Sequence, residues 1–300
     1  MTTRETLTIY LDPATLRRAE RGEHNFFARL RGAVEGRGWR VIFAENTLAN
    51  RLAAPGRPGY ALWHMEEPTH DRALTCRRRY LGAFWNIEAV AARWDWPIVA
   101  EPFDPDTVPD TAGSFVAGWR RRLWPEGIET RDDGHIFMPL QGRLLDHRGF
   151  QSMSPLGMIR QTLAHSGRPV IATLHPNEDY SADEIAALET LAAAHSRLTV
   201  RRDGSMEALA TCNRVVTQNS ALALHGYFLR KPAVLFARID FHHIAGSVPR
   251  DGLDAAFAPR PAPAFDRYLY WFLQMRSINA GRPECEDQIL ATLRGHDWPL

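Results

Sequence analysis

Strand-like and helix-like periods alternate along almost the whole chain, and that alternation confines it to folds built on a parallel sheet with helices on both faces. The opening run Thr6–Leu11 (TLTIYL) is apolar and β-branched and stops at Asp12-Pro13, which reads as a strand and a turn. Phe26, Phe27, Leu30 and Val34 then recur at helical spacing and end at Gly36 and Gly38. Residues 40–44 (RVIFA) and Tyr60–His64 (YALWH) read as two more strands, residues 77–94 fit one long helix, and 96–99 starts another strand. Residues 115–124 resume the pattern as a Trp- and Arg-rich helix.

The second half alternates more clearly. A strand at 136–140 precedes a helix at 155–164 with Pro155 in its first turn, and a strand at 169–174 ends in His175-Pro176. Ser181 and Glu184 stand at capping-box spacing in front of a helix over 181–195. A strand at 198–200, a helix at 206–211, the strand Arg214–Thr217, a helix at 220–229 and a strand at 233–237 complete the series. The stretch 259–263 (PRPAP) reads as a stiff linker, and helical stretches at 265–275 and 285–294 close the chain.

A length of 300 residues suits two domains, and 45% hydrophobic residues supply two cores. The polar stretch 126–134 marks the expected border, giving residues 1–130, residues 131–262 and a closing helical part, 263–300. Thirty-six basic against 35 acidic residues leave a net charge of +1, so no global field recruits nucleic acid. Cys76, Cys212 and Cys285 lie far apart, which suggests neither a disulfide framework nor a thiolate zinc site. Residues 1–12 lack a charged leader followed by an apolar core, and no long apolar run occurs, so a cytoplasmic protein is expected. Its Arg and Trp clusters would suit peripheral contact with the inner membrane.

Three stretches of the second half can carry chemistry. Asn219 or Ser220 would cap the helix after Arg214–Thr217 and aim its positive end at the sheet edge, a geometry that binds phosphate as readily as it makes an ordinary capped helix. Pro176 would stop its strand and expose His175 where open α/β sheets bind ligands. Gln141, Gly142 and Arg143 form a loop in which glycine lets backbone come close and arginine offers a fork to phosphate or carboxylate. In the first half, His64, Glu66 and Glu67 follow a strand and suit a general base; the same residues also suit a solvent-facing turn. His242 and His243, adjacent on an extended segment, would face opposite ways and would not share a metal ion.

Residues 135–275 resemble the capsule polysaccharide synthesis family, whose members include Kdo transferases with the two-Rossmann GT-B fold. The resemblance rests on Pro139-Leu140-Gln141-Gly142, on Thr173-Leu174-His175-Pro176, and on the run from Asn219 to Gly226 (NSALALHG) followed by Arg230-Lys231-Pro232-Ala233, in the family's order and separation. Where the family has a basic residue before His-Pro this chain has Leu174, and His225 replaces a glutamate often set against the donor ribose.

The resemblance implies two Rossmann-like domains facing across a cleft, with the C-terminal helices crossing back to the first. Residues 1–130 would hold a glycan or glycolipid acceptor and residues 131–262 a nucleotide-sugar, CMP-Kdo in the first instance. Gln141, Gly142, Arg143, His175, Pro176, Asn219, Ser220 and His225 would bind the donor, with His175 also stabilising the departing charge. Glu66 or Glu67, and then His64, would serve as base, on placement alone. Neither metal nor cofactor is expected; Asp104-Pro105-Asp106 has the DxD form of metal-dependent transferases, but its prolines make it a turn. The departures at Leu174 and His225 also fit a catalytically silent protein that binds glycan or a partner enzyme in a polysaccharide assembly complex.

Overall fold

The computed structural model describes residues 4–300, so the first three positions of the N-terminal stretch read above lie outside the described residues. The chain forms two compact units: the described residues up to Ile98 together with Phe272–Leu300, and Val99–Trp271.

In the first unit β1 (Thr6–Leu11) leads directly into α1 (Pro13–Glu20). Asp12 caps α1 by accepting the amide N–H groups of Ala14 and Thr15, and Pro13 takes the first helical position, so Asp12-Pro13 is a helix start and not the expected turn. The chain continues through α2 (Asn25–Glu35), β2 (Arg40–Glu45), α3 (Leu48–Ala53) and β3 (Tyr60–His64). Residues 77–94 do not form the expected helix. Instead β4 (Ala73–Arg78) turns back through Tyr80, at φ +58°, into the antiparallel β5 (Phe84–Glu88), with Thr75 opposite Glu88. Phe84, Trp85 and Ile87 are buried while Asn86 and Glu88 are partly exposed, an alternation of only four residues that is masked by the helical spacing of Leu81, Phe84 and Trp85. Residues 96–99 likewise hold a 3-10 turn, Pro97–Ala100, where a strand was expected.

The second unit opens with α4 (Ala112–Leu123) and then alternates: β6 (Ile136–Pro139), α5 (Pro155–His165), β7 (Val170–Thr173), α6 (Ala182–Ala194), β8 (Leu198–Arg201) and α7 (Ser205–Thr211). It continues with β9 (Arg214–Thr217), α8 (Ala221–Phe228), β10 (Ala233–Leu235), β11 (Gly246–Ser247), α9 (Val248–Asp251), α10 (Leu253–Phe257) and α11 (Phe265–Leu269). The Ser181–Glu184 capping box forms at the start of α6. Residues 99–124, upstream of the expected border at 126–134, belong to this unit; Arg267 of α11 donates to the carbonyls of Pro105 and Val108 and to the Asp110 carboxylate, each at 2.8 Å. His242 and His243 lie on a turn, not an extended segment, so their rings stack with centroids 4.4 Å apart instead of facing opposite ways.

A π-helical turn, Tyr270–Met275, replaces the second half of the helix expected at 265–275 and carries the chain back into the first unit. There β12 (Ile278–Asn279) pairs antiparallel with β5, and α12 (Cys285–Gly295) buries Ile289, Leu290 and Leu293 in the core that holds Phe26, Leu30 and Val34 of α2. The closing segment does cross back to the first unit.

Both sheets have six strands. The first runs β12-β5-β4-β3-β1-β2, and β2, β1, β3 and β4 are mutually parallel, so chain order reverses between β1 and β3. The second runs β11-β10-β9-β6-β7-β8 and is parallel throughout, the Rossmann order with its reversal between β6 and β9. Two Rossmann-like α/β units of the GT-B kind are therefore present. Such sheets bind ligands beyond the carboxyl ends of the strands at the reversal, where the connections leave to opposite faces and open a crevice.

Candidate functional site

In the second unit, the loops that leave β6 and β9 carry Gln141-Gly142-Arg143 and Gln218-Asn219-Ser220, and those strands flank the reversal. His175-Pro176 leaves β7, the strand beside β6. Thr217 ties β9 to β6 by donating its hydroxyl to the Pro139 carbonyl at 3.0 Å. Ser220 caps α8, its hydroxyl accepting the Leu222 N–H at 3.3 Å, so the helix dipole points its positive end at the crevice.

His175 is exposed and held by its own loop. Its backbone N–H donates to the Tyr180 hydroxyl at 2.8 Å, and its Nδ1 accepts the Asn177 N–H at 3.2 Å. A nitrogen that accepts an N–H carries no proton, so the ring proton sits on Nε2, which becomes a donor. Burial raises the Tyr180 pKa, which keeps that hydroxyl protonated.

The β6 loop is fixed by a carboxylate. Glu184 accepts the backbone N–H of Leu144 with one oxygen and, with the other, the Ser181 N–H at 2.9 Å. Burial raises its pKa, but these hydrogen bonds outweigh burial and hold it below the ordinary value. A Cβ at Gly142 would stand 2.3 Å from a Glu178 carboxylate oxygen, so glycine lets the β6 and β7 loops meet. Arg143, at φ +63°, pairs with Asp146 at 2.9 Å. Arg148 lies over the Phe150 ring, and burial, the Arg143 charge, and the opposing Glu178 and Asp146 charges leave its pKa lowered.

Two acceptors at this edge lack partners: Gln141 Oε1 and Gln218 Oε1 are buried with no hydrogen bond. Gln218 is 1% exposed, and its amide nitrogen donates to the Met153 carbonyl at 3.0 Å. A buried orphan oxygen costs about 1–3 kcal/mol, a penalty that persists in native proteins mainly where something else supplies the donor. Gln218 was not among the residues singled out from sequence, since a glutamine after a strand carries no pattern of its own. His225 sits further along α8, half-buried beside Trp124, and burial lowers its pKa, so it presents a neutral ring.

In the first unit His64 ends β3 and Asp12 follows β1, on the two strands that flank its reversal. His64 Nδ1 lies 3.5 Å from Asp12 Oδ2. Burial lowers the His64 pKa more than Asp12 raises it. Burial raises that of Asp12, yet the hydrogen bonds from Thr15 and Ala14 and the neighbouring His64 leave it lowered. His24, whose ring lies 5.5 Å from that of Trp85, is driven down to about 4 by burial and by the Arg18 and His64 charges. Glu66 and Glu67 are exposed: Glu66 pairs with Arg51 at 3.8 Å, and Glu67 accepts the Ala91 N–H at 2.8 Å. Asp12 and His24 were missed as site residues; the signal for Asp12 was its place after β1, one strand over from His64.

Among the described residues no group of three or more His, Cys, Asp or Glu is placed to hold a metal ion, and no helix is long and apolar enough to cross a membrane. Asp104 caps a 3-10 turn through the Asp106 N–H at 2.9 Å, which occupies the DxD stretch structurally. Lys231 lies at the opposite sheet edge and donates to the carbonyls of Arg131 and Cys212, both at 2.7 Å.

No protein family's sequence profile matches this chain, and no curated protein matches it by sequence. Among solved structures it is similar to the Thermosulfurimonas dismutans KpsC beta Kdo 2,7 transferase, with a TM-score of 0.52 at 11% identity over 97% of this chain and 100% of that one. The KpsC beta Kdo 2,4 transferase of the same organism gives a TM-score of 0.46 at 12% identity, over 88% and 89%. The S. aureus MnaA–UDP co-structure gives 0.32 at 10%, over 91% and 98%. The first likeness is one of fold, and it agrees with the GT-B class read from the strand order.

Proposed function

We propose that this chain is a glycosyltransferase of capsular or surface polysaccharide synthesis, binding a nucleotide-activated sugar at the reversal between β6 and β9, within residues 131–262. The observation that carries this reading is the pair of orphaned acceptors, Gln141 Oε1 and Gln218 Oε1, leaving the two strands that flank a crevice of Rossmann order. Nucleoside hydroxyls and base amino groups are donors of the kind those oxygens lack. The first turn of α8, behind Ser220 and Asn219, offers N–H groups and a positive dipole end to phosphate. His175 Nε2–H meets the charge on the departing nucleotide. Arg143 exchanges Asp146 for phosphate when the donor arrives, with the Arg148 charge beside it.

On this reading the first unit, built from the described residues up to Ile98 and from Phe272–Leu300, receives the acceptor. His64, kept neutral by burial and oriented by Asp12, takes the proton of the attacking hydroxyl, with Glu66 and Glu67 as the alternative bases. The resemblance of residues 135–275 to capsule synthesis transferases nominates Kdo as the sugar, CMP as the nucleotide and a glycan or glycolipid as the acceptor.

A panel of CMP, CDP, UDP, GDP and ADP, each with and without magnesium, tests the reading by thermal shift and calorimetry. A ligand that binds only the folded state adds about 2.7 kcal/mol of stability at a hundredfold excess over its dissociation constant. Stabilisation by CMP without magnesium is the expected result, and another responding nucleotide would change the donor. Folded protein silent to all five would overturn the transferase and favour a glycan- or partner-binding role, for which the neutral His225 in place of a carboxylate is the motive.

A further inference from the structure

We propose that the second unit carries another small-molecule site, at the N-terminal ends of β9 and β10, that binds a monocarboxylate with an apolar, ring-sized body. This is the edge of the sheet opposite Gln141, Gln218 and Ser220: Arg214 opens the strand that Thr217 closes. A cavity of about 250 Å³ lies there, walled by Val234, Ile244, Phe265 and the prolines Pro261 and Pro263. The proline-rich stretch expected to act as a linker is thus a rigid wall, and a wall already ordered binds without the entropy loss of ordering a loop.

Three guanidinium groups line the cavity, and two have a carboxylate in contact. Arg230 pairs with Asp266 at 2.7 Å, and Arg260 with Asp251 at 2.8 Å, a carboxylate that Arg250 shares at 2.6 Å. Arg214 is different. Its Nε donates to Asn213 Oδ1 at 3.3 Å, and Asn213 in turn donates to Asp132 at 2.8 Å, which braces the group. The terminal nitrogens Nη1 and Nη2 donate to nothing among the described residues. Burial, together with the Arg168 charge, lowers the Arg214 pKa against the opposing pull of Asp132, as expected for a half-buried cation without an anion in contact.

One unpaired fork beside apolar walls selects the ligand chemistry. A carboxylate matches the two parallel N–H groups of a guanidinium and brings a single negative charge, whereas a phosphate dianion would enter with a second charge left unpaired in a partly desolvated site. As for size, an apolar cavity of about 150 Å³ takes benzene. The space here therefore suits a ring with a carboxylate attached.

Benzoate is the probe, benzamide its uncharged analogue and inorganic phosphate the third ligand, each titrated calorimetrically into the full chain. Benzoate should bind at least about tenfold tighter than benzamide or phosphate, the loss expected when a charge-assisted bidentate contact is removed. Arg214→Gln should reduce benzoate affinity by a similar factor. Ala262→Phe, which fills the cavity and leaves the arginine in place, should abolish benzoate binding, and it decides the matter if Arg214→Gln does not fold. The nucleotide response is read in the same variants and should be unchanged, so failure here and failure of the transferase reading are separate results. Equal binding of benzoate and benzamide, phosphate binding as tight as benzoate, no benzoate binding to the unaltered protein, or benzoate affinity unchanged in the folded variants would each overturn the proposal.

Discussion

At the scale of single residues, the two strand-end sites differ in how they treat charge. At the edge of the second unit the exposed Arg143 is paired with Asp146, and the exposed His175 is held by hydrogen bonds. That of the first unit is buried around His64 and His24, where the uncharged form is favoured. The buried arrangement has a pH consequence. His24 titrates at about 4 in the folded chain against 6.5 for the free side chain, so between those values the unfolded state binds the extra proton. Stability from this residue is therefore fully present above about pH 6.5 and is lost as pH falls toward 4. After allowance for solvent screening the loss is on the order of 1–2 kcal/mol. Urea midpoints measured across this range should fall with acid in the native protein and fall less in His24→Gln.

At the scale of elements, strands written as short apolar or β-branched runs and helices with a capping signal were legible, whereas elements fixed by distant partners were not. Thr6–Leu11, Tyr60–His64 and Arg214–Thr217 have the limits read from sequence, and Ser181 with Glu184 caps α6 as their spacing requires. The β4–β5 hairpin was hidden because Leu81, Phe84 and Trp85 recur at helical spacing, while the partner that makes β5 an inner strand, β12, comes from the far end of the chain. The strand-end placement of Gln141, His175, Asn219 and Ser220 was legible because each follows a strand. Gln218 and Asp12 became visible only once strand order was known. Lys231 shows the converse, a motif residue whose place in the fold is architectural. Lys231→Met should leave the Arg131 and Cys212 carbonyls without their donor and cost about 1–3 kcal/mol in chemical denaturation. Nucleotide affinity should stay as it was.

At the scale of the whole molecule, the chain builds its first unit from both ends, and the second lies between them in sequence. The return of Phe272–Leu300 supplies a sheet strand and a core helix to the first unit, so late residues control its stability. Ile289, fully buried in that core, tests this directly: Ile289→Ala should cost about 2–4 kcal/mol by equilibrium urea unfolding. A near-zero cost would mean that α12 does not hold the first unit together. The functional reading places one ligand at one reversal of one sheet, and hydrogen–deuterium exchange with the nucleotide that stabilises the protein reports that location most directly. Protection is expected at residues 140–144, 173–180 and 217–224, with the strand ends of the first unit unchanged by nucleotide alone. Protection confined to the β1–β3 edge of the first unit, or to the Arg214 edge of the second, would contradict the assignment of the donor site.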